Sequence, residues 1–162
     1  MLYFVAAHGN NFEMGYKGGL PWKRMPADIA RLHDIIRDKI VVMGEATYQG
    51  YTDIHKSIHA KKLYVLSRSN PTIDDAKVLD DIKKVSTIAR DEDVYVIGGA
   101  SIFKQLIEEV DHMYLTRIEQ DFKADRYFPD YSNMNFELVE AQHFAADDDN
   151  PHPYTFLQLR RL

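Results

Sequence analysis

Apolar residues fall along this chain in short runs broken by turn-forming residues, and the runs alternate in period. Leu2 to Ala7 is almost wholly apolar, the pattern of a strand covered on both faces. Ile40 to Met43, Leu63 to Leu66 and Val94 to Ile97 repeat it. Between these runs the spacing changes to three and four residues. Ile29, Leu32, Ile35 and Ile36 predict a helix over Pro26 to Asp38, with the proline in the first turn, where its missing N–H costs nothing. A short helix is predicted from Gly44 through Tyr48, another over Asp80 to Arg90, and a third over 99–109 with Ile102, Phe103, Leu106 and Ile107 on one side. Met113 to Ile118, Phe136 to Glu140 and Tyr154 to Leu162 read as later strands, the last two joined by an acidic turn at Asp147 to Pro151. The pattern predicts one α/β domain over residues 1–162. It has a mainly parallel, twisted central sheet flanked by helices and closed by an antiparallel C-terminal hairpin. His8 to Arg24, rich in glycine and asparagine, is expected to be an irregular and functional loop.

Composition narrows the function. There is no cysteine, so disulfides and thiolate catalysis are excluded and a reducing, cytoplasmic location is expected. Formal net charge is −5 and basic residues occur at most in pairs such as Lys61-Lys62 and Arg160-Arg161, so nucleic acid is not an expected partner. The apolar N-terminal run is too short for a signal peptide or a membrane span. No apolar stripe is left over, which makes a monomer the expectation. The seven histidines, His55 and His59 among them, lack paired ligand spacing, so no metal is expected. Ser67, Ser69 and Ser101 lack the strand-to-helix elbow of an activated nucleophile.

Two strand-to-helix corners could carry chemistry. Val94 to Ile97 runs into Gly98-Gly99, where phosphate could approach main-chain N–H groups; two glycines at such a corner also make an ordinary tight turn. Val42-Met43-Gly44-Glu45-Ala46-Thr47 offers the same geometry at another strand end. Asp28, in the first turn of its helix, either serves the positive helix end or points into a pocket. Thr116, inside Tyr114 to Ile118, gains interest only if Asp28 faces it.

Taken in order, Gly19-Leu20-Pro21-Trp22, Pro26-Ala27-Asp28, Val42-Met43-Gly44 with Thr47, Val65-Leu66-Ser67-Arg68, Val96-Ile97-Gly98-Gly99, Tyr114-Leu115-Thr116 and Asp125 to Phe128-Pro129 resemble the dihydrofolate reductase family from end to end. The resemblance implies NADPH-dependent reduction of dihydrofolate, with hydride delivered to the pterin C6 and a proton to N5. It implies that Asp28 holds the pterin with Thr116 as its hydroxyl partner, and that Trp22 and Leu20 belong to the reacting region. Ala7, Ile29, Leu32, Ile58 and Ile97 would line the substrate cleft, beneath a lid formed by residues 9–24. Gly44, Ala46, Thr47, Gly98, Gly99, Ala100, Ser101, Ile102 and Phe103 would receive the cofactor, with Ser67 and Arg68 at its 2′-phosphate.

The same resemblance exposes departures. Glu45 stands where a basic residue is usual, Lys61 where an arginine usually clamps the folate carboxylate, and Ala124 and Arg126 where glycine and threonine are usual. The competing readings are a ribosylaminopyrimidine reductase of riboflavin synthesis, with the same fold and cofactor corners, and a reductase-like binding protein without turnover. Leu-Pro-Trp followed by Asp28 favours the folate reading, and Asp28 together with Thr116 favours turnover.

Overall fold

A computed structural model describes residues 1–50 and 58–162. The predicted strands form at β1 (Leu2–His8), β3 (Ile40–Gly44), β4 (Lys62–Leu66), β6 (Val94–Val96), β7 (His112–Ile118), β9 (Phe136–Phe144) and β10 (Tyr154–Arg161). Three shorter strands join them that periodicity did not flag: β2 (Glu13–Gly15), β5 (Lys77–Leu79) and β8 (Arg126–Tyr127). The helices of the described residues are α1 (Pro26–Ile36), α2 (Glu45–Gly50), α3 (Lys83–Asp91) and α4 (Ala100–Leu106).

Eight strands form one sheet in the order β5-β4-β3-β6-β1-β7-β10-β9. From β5 to β7 the pairing is parallel, and β10 pairs antiparallel with both β7 and β9. The fold class is therefore the expected one. Alternate residues of β1 serve the two faces, as the period of a strand requires. Leu2 and Phe4 join Val42, Val96, Phe103 and Leu115 in one buried cluster. Tyr3 and Val5 join Val41, Met43, Val65 and Ile36 of α1 in the other.

Helix ends differ from the periodic forecast for local reasons. α1 stops at Ile36 because Asp38 takes a left-handed φ of 58° and its N–H donates to the His59 carbonyl at 2.7 Å. α3 starts at Lys83, whose N–H donates to the Asp81 carboxylate at 2.8 Å. The 9–24 segment is not wholly irregular, because β2 pairs with β8. Glu13, only 2% exposed, accepts the N–H of Phe122 at 2.6 Å and also that of Asn11. The Asp125 N–H donates to the Gly15 carbonyl at 2.9 Å. Three residues of strand thus form where a distant segment supplies the partner.

Candidate active site

The carboxyl ends of β1, β3 and β6 meet one face of α1 across a cavity of about 550 Å³. That is a size suited to a small organic ligand, at the edge of a parallel sheet where such ligands bind. Asp28, Ile29, Leu32 and His33 of α1 form one wall, with Ala7 at the end of β1. Leu20 and Trp22 cover it from the 9–24 loop, and Ala46, Thr47, Ile97, Gly98, Gly99, Ala100 and Phe103 close the far end. The arrangement is an apolar slot with one carboxyl on its wall.

Asp28 is the third residue of α1, held by a hydrogen bond from its N–H to the Met25 carbonyl at 3.1 Å. The preceding Ala27 N–H donates to the side-chain oxygen of Asn150 at 3.0 Å, so the turn between β9 and β10 caps this helix. Asn150 is 6% exposed and is itself held by Asp147. The acidic turn is therefore a structural support for α1, a role its composition did not reveal. Behind Asp28 lies Thr116, 1% exposed, whose hydroxyl hydrogen-bonds the carboxyl. Burial pushes the Asp28 carboxyl above the ordinary aspartate value, and this outweighs the opposing effects of the Thr116 hydrogen bond and the nearby Arg31 charge.

At the far end the walls are main chain. The Gly44 N–H donates to the Gly98 carbonyl at 2.9 Å, joining the two corners. The Gly98-Gly99 peptide is cis and Gly98 has φ 137°, a conformation open to glycine. A Cβ at Gly99 would come within 3.1 Å of the Thr47 hydroxyl, and one at Gly44 within 2.9 Å of Ile102. Gly99 thus stands close against Thr47 of α2, and Gly44 close against Ile102 of α4.

Several expected residues stand off the cavity wall. Gly44 and Ile102 pack behind the corner, and Ser101 is exposed, its hydroxyl accepting the Gln105 amide at 3.1 Å. Ile58 packs into the cluster around Val41 and Ile36. Lys61 is directed elsewhere: its N–H donates to the Lys39 carbonyl at 2.8 Å and its ammonium lies 4.0 Å from Glu92. Ser67 donates its hydroxyl to the Glu45 carboxylate and lies 3.0 Å from the Ser69 hydroxyl. Arg68 is exposed beside it.

Periodicity missed Arg24, His33 and Arg126, which bring cationic or titratable groups to the cavity. For His33 a signal existed, since it follows Leu32 and lies four residues beyond Ile29. Arg126 comes from β8, whose place depends on pairing with β2. Among the described residues no group of acids and histidines could hold a metal ion, and no helix is long and apolar enough to cross a membrane. His55 lies outside the described residues.

The sequence model of a family described as dihydrofolate reductase matches residues 1–161. The dihydrofolate reductase of Bacillus subtilis (strain 168) is 29% identical over 163 residues, covering 99% of this chain and 95% of its own. That of Enterococcus faecium is 31% identical over 166 residues, covering 100% and 98%. Among solved structures, dihydrofolate reductase from Enterococcus faecalis complexed with NADP(H) and RAB-propyl superposes with a TM-score of 0.87 at 24% identity. The match covers 99% of this chain and 96% of that one, and at that identity it is a likeness of fold.

Proposed function

The chain belongs to the dihydrofolate reductase family, and on that premise we propose how its cavity works as an NADPH-dependent reductase of dihydrofolate. The observation that carries the reading is the single carboxyl of Asp28, backed by Thr116, on the wall of an apolar slot that ends in the Gly98-Gly99 corner.

Asp28 is assigned to the pterin. A carboxylate accepts two parallel N–H bonds, which matches a ring N–H beside an exocyclic amine. Ile29, Leu32 and Ala7 supply flat apolar contact on either side of the ring, and Leu20 and Trp22 cover it. Trp22 is 7% exposed and its buried indole N–H has no hydrogen-bond partner among the described residues. The negative field of Asp28 favours a protonated pterin N5, while the apolar walls exclude bulk water and so strengthen that field. Asp28 need not pass the proton itself, since water admitted beside the 9–24 loop can do so.

NADPH, when bound, supplies the hydride for the pterin C6. The residues fit such a dinucleotide. The N–H groups of Ala100 and Ser101 precede the first hydrogen bonds of α4, which Ile102 and Phe103 donate to the Gly99 carbonyl, and a Cβ at Gly99 would crowd the Thr47 hydroxyl at 3.1 Å. Gly98, Gly99, Ala100, Ala46 and Thr47 are assigned to the pyrophosphate, Ile97 and Phe103 to the apolar wall there, and Ser67 and Arg68 to the adenosine end. The protein's share of catalysis is alignment of two flat rings. The tests are an absorbance assay of NADPH oxidation with dihydrofolate, and isolation of tetrahydrofolate from it. Absence of dihydrofolate-dependent oxidation sinks the reading.

The partner is then a small molecule, and the protein is assigned to the cytoplasm as a monomer that needs no nucleic acid. Leu138 and Val139 stand 55% and 49% exposed on the edge strand β9, where a second copy would add. Sedimentation at micromolar concentration tests the monomer, and a dimer overturns it.

A further inference from the structure

Arg31 lies one helical turn after Asp28 on α1, and its guanidinium points into the fold. Nη1 donates to the Leu115 carbonyl at 2.7 Å and Nη2 to the Leu157 carbonyl at 3.2 Å. The guanidinium carbon sits 4.3 Å from the centre of the Phe156 ring. Leu115 is the neighbour of Thr116 in β7, and Leu157 and Phe156 are the register partners of Leu115 and Thr116 in β10. One side chain therefore ties the helix carrying the acid to the strand carrying its hydroxyl partner and to the strand beyond.

The charge of this guanidinium is not neutralised by contact. Its hydrogen bonds go to the neutral carbonyls of Leu115 and Leu157, and among the described residues no carboxylate lies within ion-pair distance of it. The ionisable groups facing it are Asp28 on its own helix, Glu140 of β9 and Tyr114 of β7. The groups facing Asp28 are Arg31, the Thr116 hydroxyl and, around the cavity, His33, Arg24 and Arg126. Arg31 is the cation that acts on Asp28 from inside the fold, where salt screens least, and it favours the ionised carboxyl.

Resting on the reductase reading above, we propose that Arg31 is a positioning residue for the reaction. Its bridge to Leu115 and Leu157 fixes the Asp28 carboxyl against Thr116, and its charge faces that carboxyl from inside the fold. The two effects separate by substitution. Arg31→Gln keeps a donor and removes the charge. Arg31→Lys keeps the charge and loses the planar fork that reaches two carbonyls at once.

The experiment follows the Asp28 carboxyl directly by carbon NMR of aspartate-labelled protein across pH, with Asp28→Asn identifying the signal. The pH profile of kcat/KM for dihydrofolate and the Tm are measured in parallel. Arg31→Gln is expected to move the Asp28 midpoint to higher pH and to shift the kcat/KM profile with it, because kcat/KM reports the free enzyme's essential groups. Arg31→Lys is expected to hold the midpoint while kcat falls roughly tenfold, as loss of alignment predicts. An unmoved midpoint in Arg31→Gln, whatever happens to Tm, overturns the electrostatic role, since a plain tether would lower Tm alone. Parental kcat in Arg31→Lys overturns the positioning role. If the parent does not turn over dihydrofolate, the reductase reading fails on its own, and the NMR midpoint still decides whether Arg31 governs Asp28.

Discussion

The two ends of the cavity are built on opposite principles. At the α1 end the wall depends on which side chain is present: one carboxyl, raised by burial and hydrogen-bonded by Thr116, on a helix that Arg31 and Asn150 tie to the strands and turn behind it. At the glycine end the wall depends on a side chain being absent, at Gly98 and Gly99. The first end is electrostatic and is assembled from partners 84 to 126 residues away along the chain. The second is steric and sits in two local strand-to-helix corners. Substitutions at the first end should therefore change chemistry and leave cofactor binding alone, whereas those at the second should do the reverse.

The largest effect is expected at Asp28. Asp28→Asn preserves shape and removes the charge, so turnover with dihydrofolate at neutral pH should fall about 10²–10⁴-fold while NADPH binding, followed by fluorescence, stays nearly unchanged. The same variant should be more stable than the parent. Because burial raises the Asp28 carboxyl in the folded state, that group's contribution to stability is full at acid pH and is lost as pH rises through the folded value. The gain of Asp28→Asn should thus be present at neutral pH and vanish on acidification. Each kcal/mol would appear as about 2–4 °C in Tm for a chain of this size. A parental Tm at neutral pH would mean that the carboxyl is not destabilised by burial.

At the other end, Gly98→Ala places a Cβ on a residue with φ 137°, which costs about 1–3 kcal/mol of strain. Tm should fall by that strain, and NADPH affinity should weaken by roughly tenfold if the added methyl takes about 1.4 kcal/mol from the main-chain contact assigned to the pyrophosphate. The Asp28 titration should not move, and a shift there would join two ends that the comparison separates. Glu45 is the exception that sharpens the contrast, because it places a charge at the steric end. Its carboxylate already accepts the Ser67 hydroxyl and lies 3.3 Å from the Gln49 amide, so on the proposed assignment it would compete with the 2′-phosphate for Ser67. Glu45→Gln should raise the ratio of NADPH to NADH in kcat/KM by roughly threefold to fivefold, the worth of 1 kcal/mol or less between partly exposed charges. An unchanged ratio removes Ser67 and Glu45 from the adenosine end.

The smallest effect is expected at Lys61, which faces Glu92 on the surface at 4.0 Å with both side chains well exposed. Lys61→Ala should leave KM for dihydrofolate within about twofold, as for any exposed ion pair. A larger rise in KM would bring Lys61 to the substrate after all.

Much of the fold was legible because its signals are local. Runs such as Val41-Val42-Met43 and Val94-Tyr95-Val96 are buried on both faces by helices packed on the parallel sheet, and no long-range information is needed to see them. The glycine corners were legible for the same reason, each lying within a few residues of a strand end. Asp28 was visible as an acid in a first turn, but its direction was not. The helix alone allows it to serve the dipole or the cavity, and family resemblance decided between them before geometry did.

What tertiary structure alone decided is everything that needs a distant partner. The strands β2 and β8 have three and two residues and exist as a pair, too short for periodicity to register. Arg31, one turn after Asp28 on α1, is turned inward onto carbonyls of β7 and β10. Asn150, in a run of acids, caps α1 from across the fold. Lys61 ends beside Glu92, and Ser67 beside Glu45. Hydrophobic periodicity records which faces are buried. A buried polar group must find a hydrogen-bond partner wherever the chain supplies one, and that choice is made only when segments far apart in sequence meet.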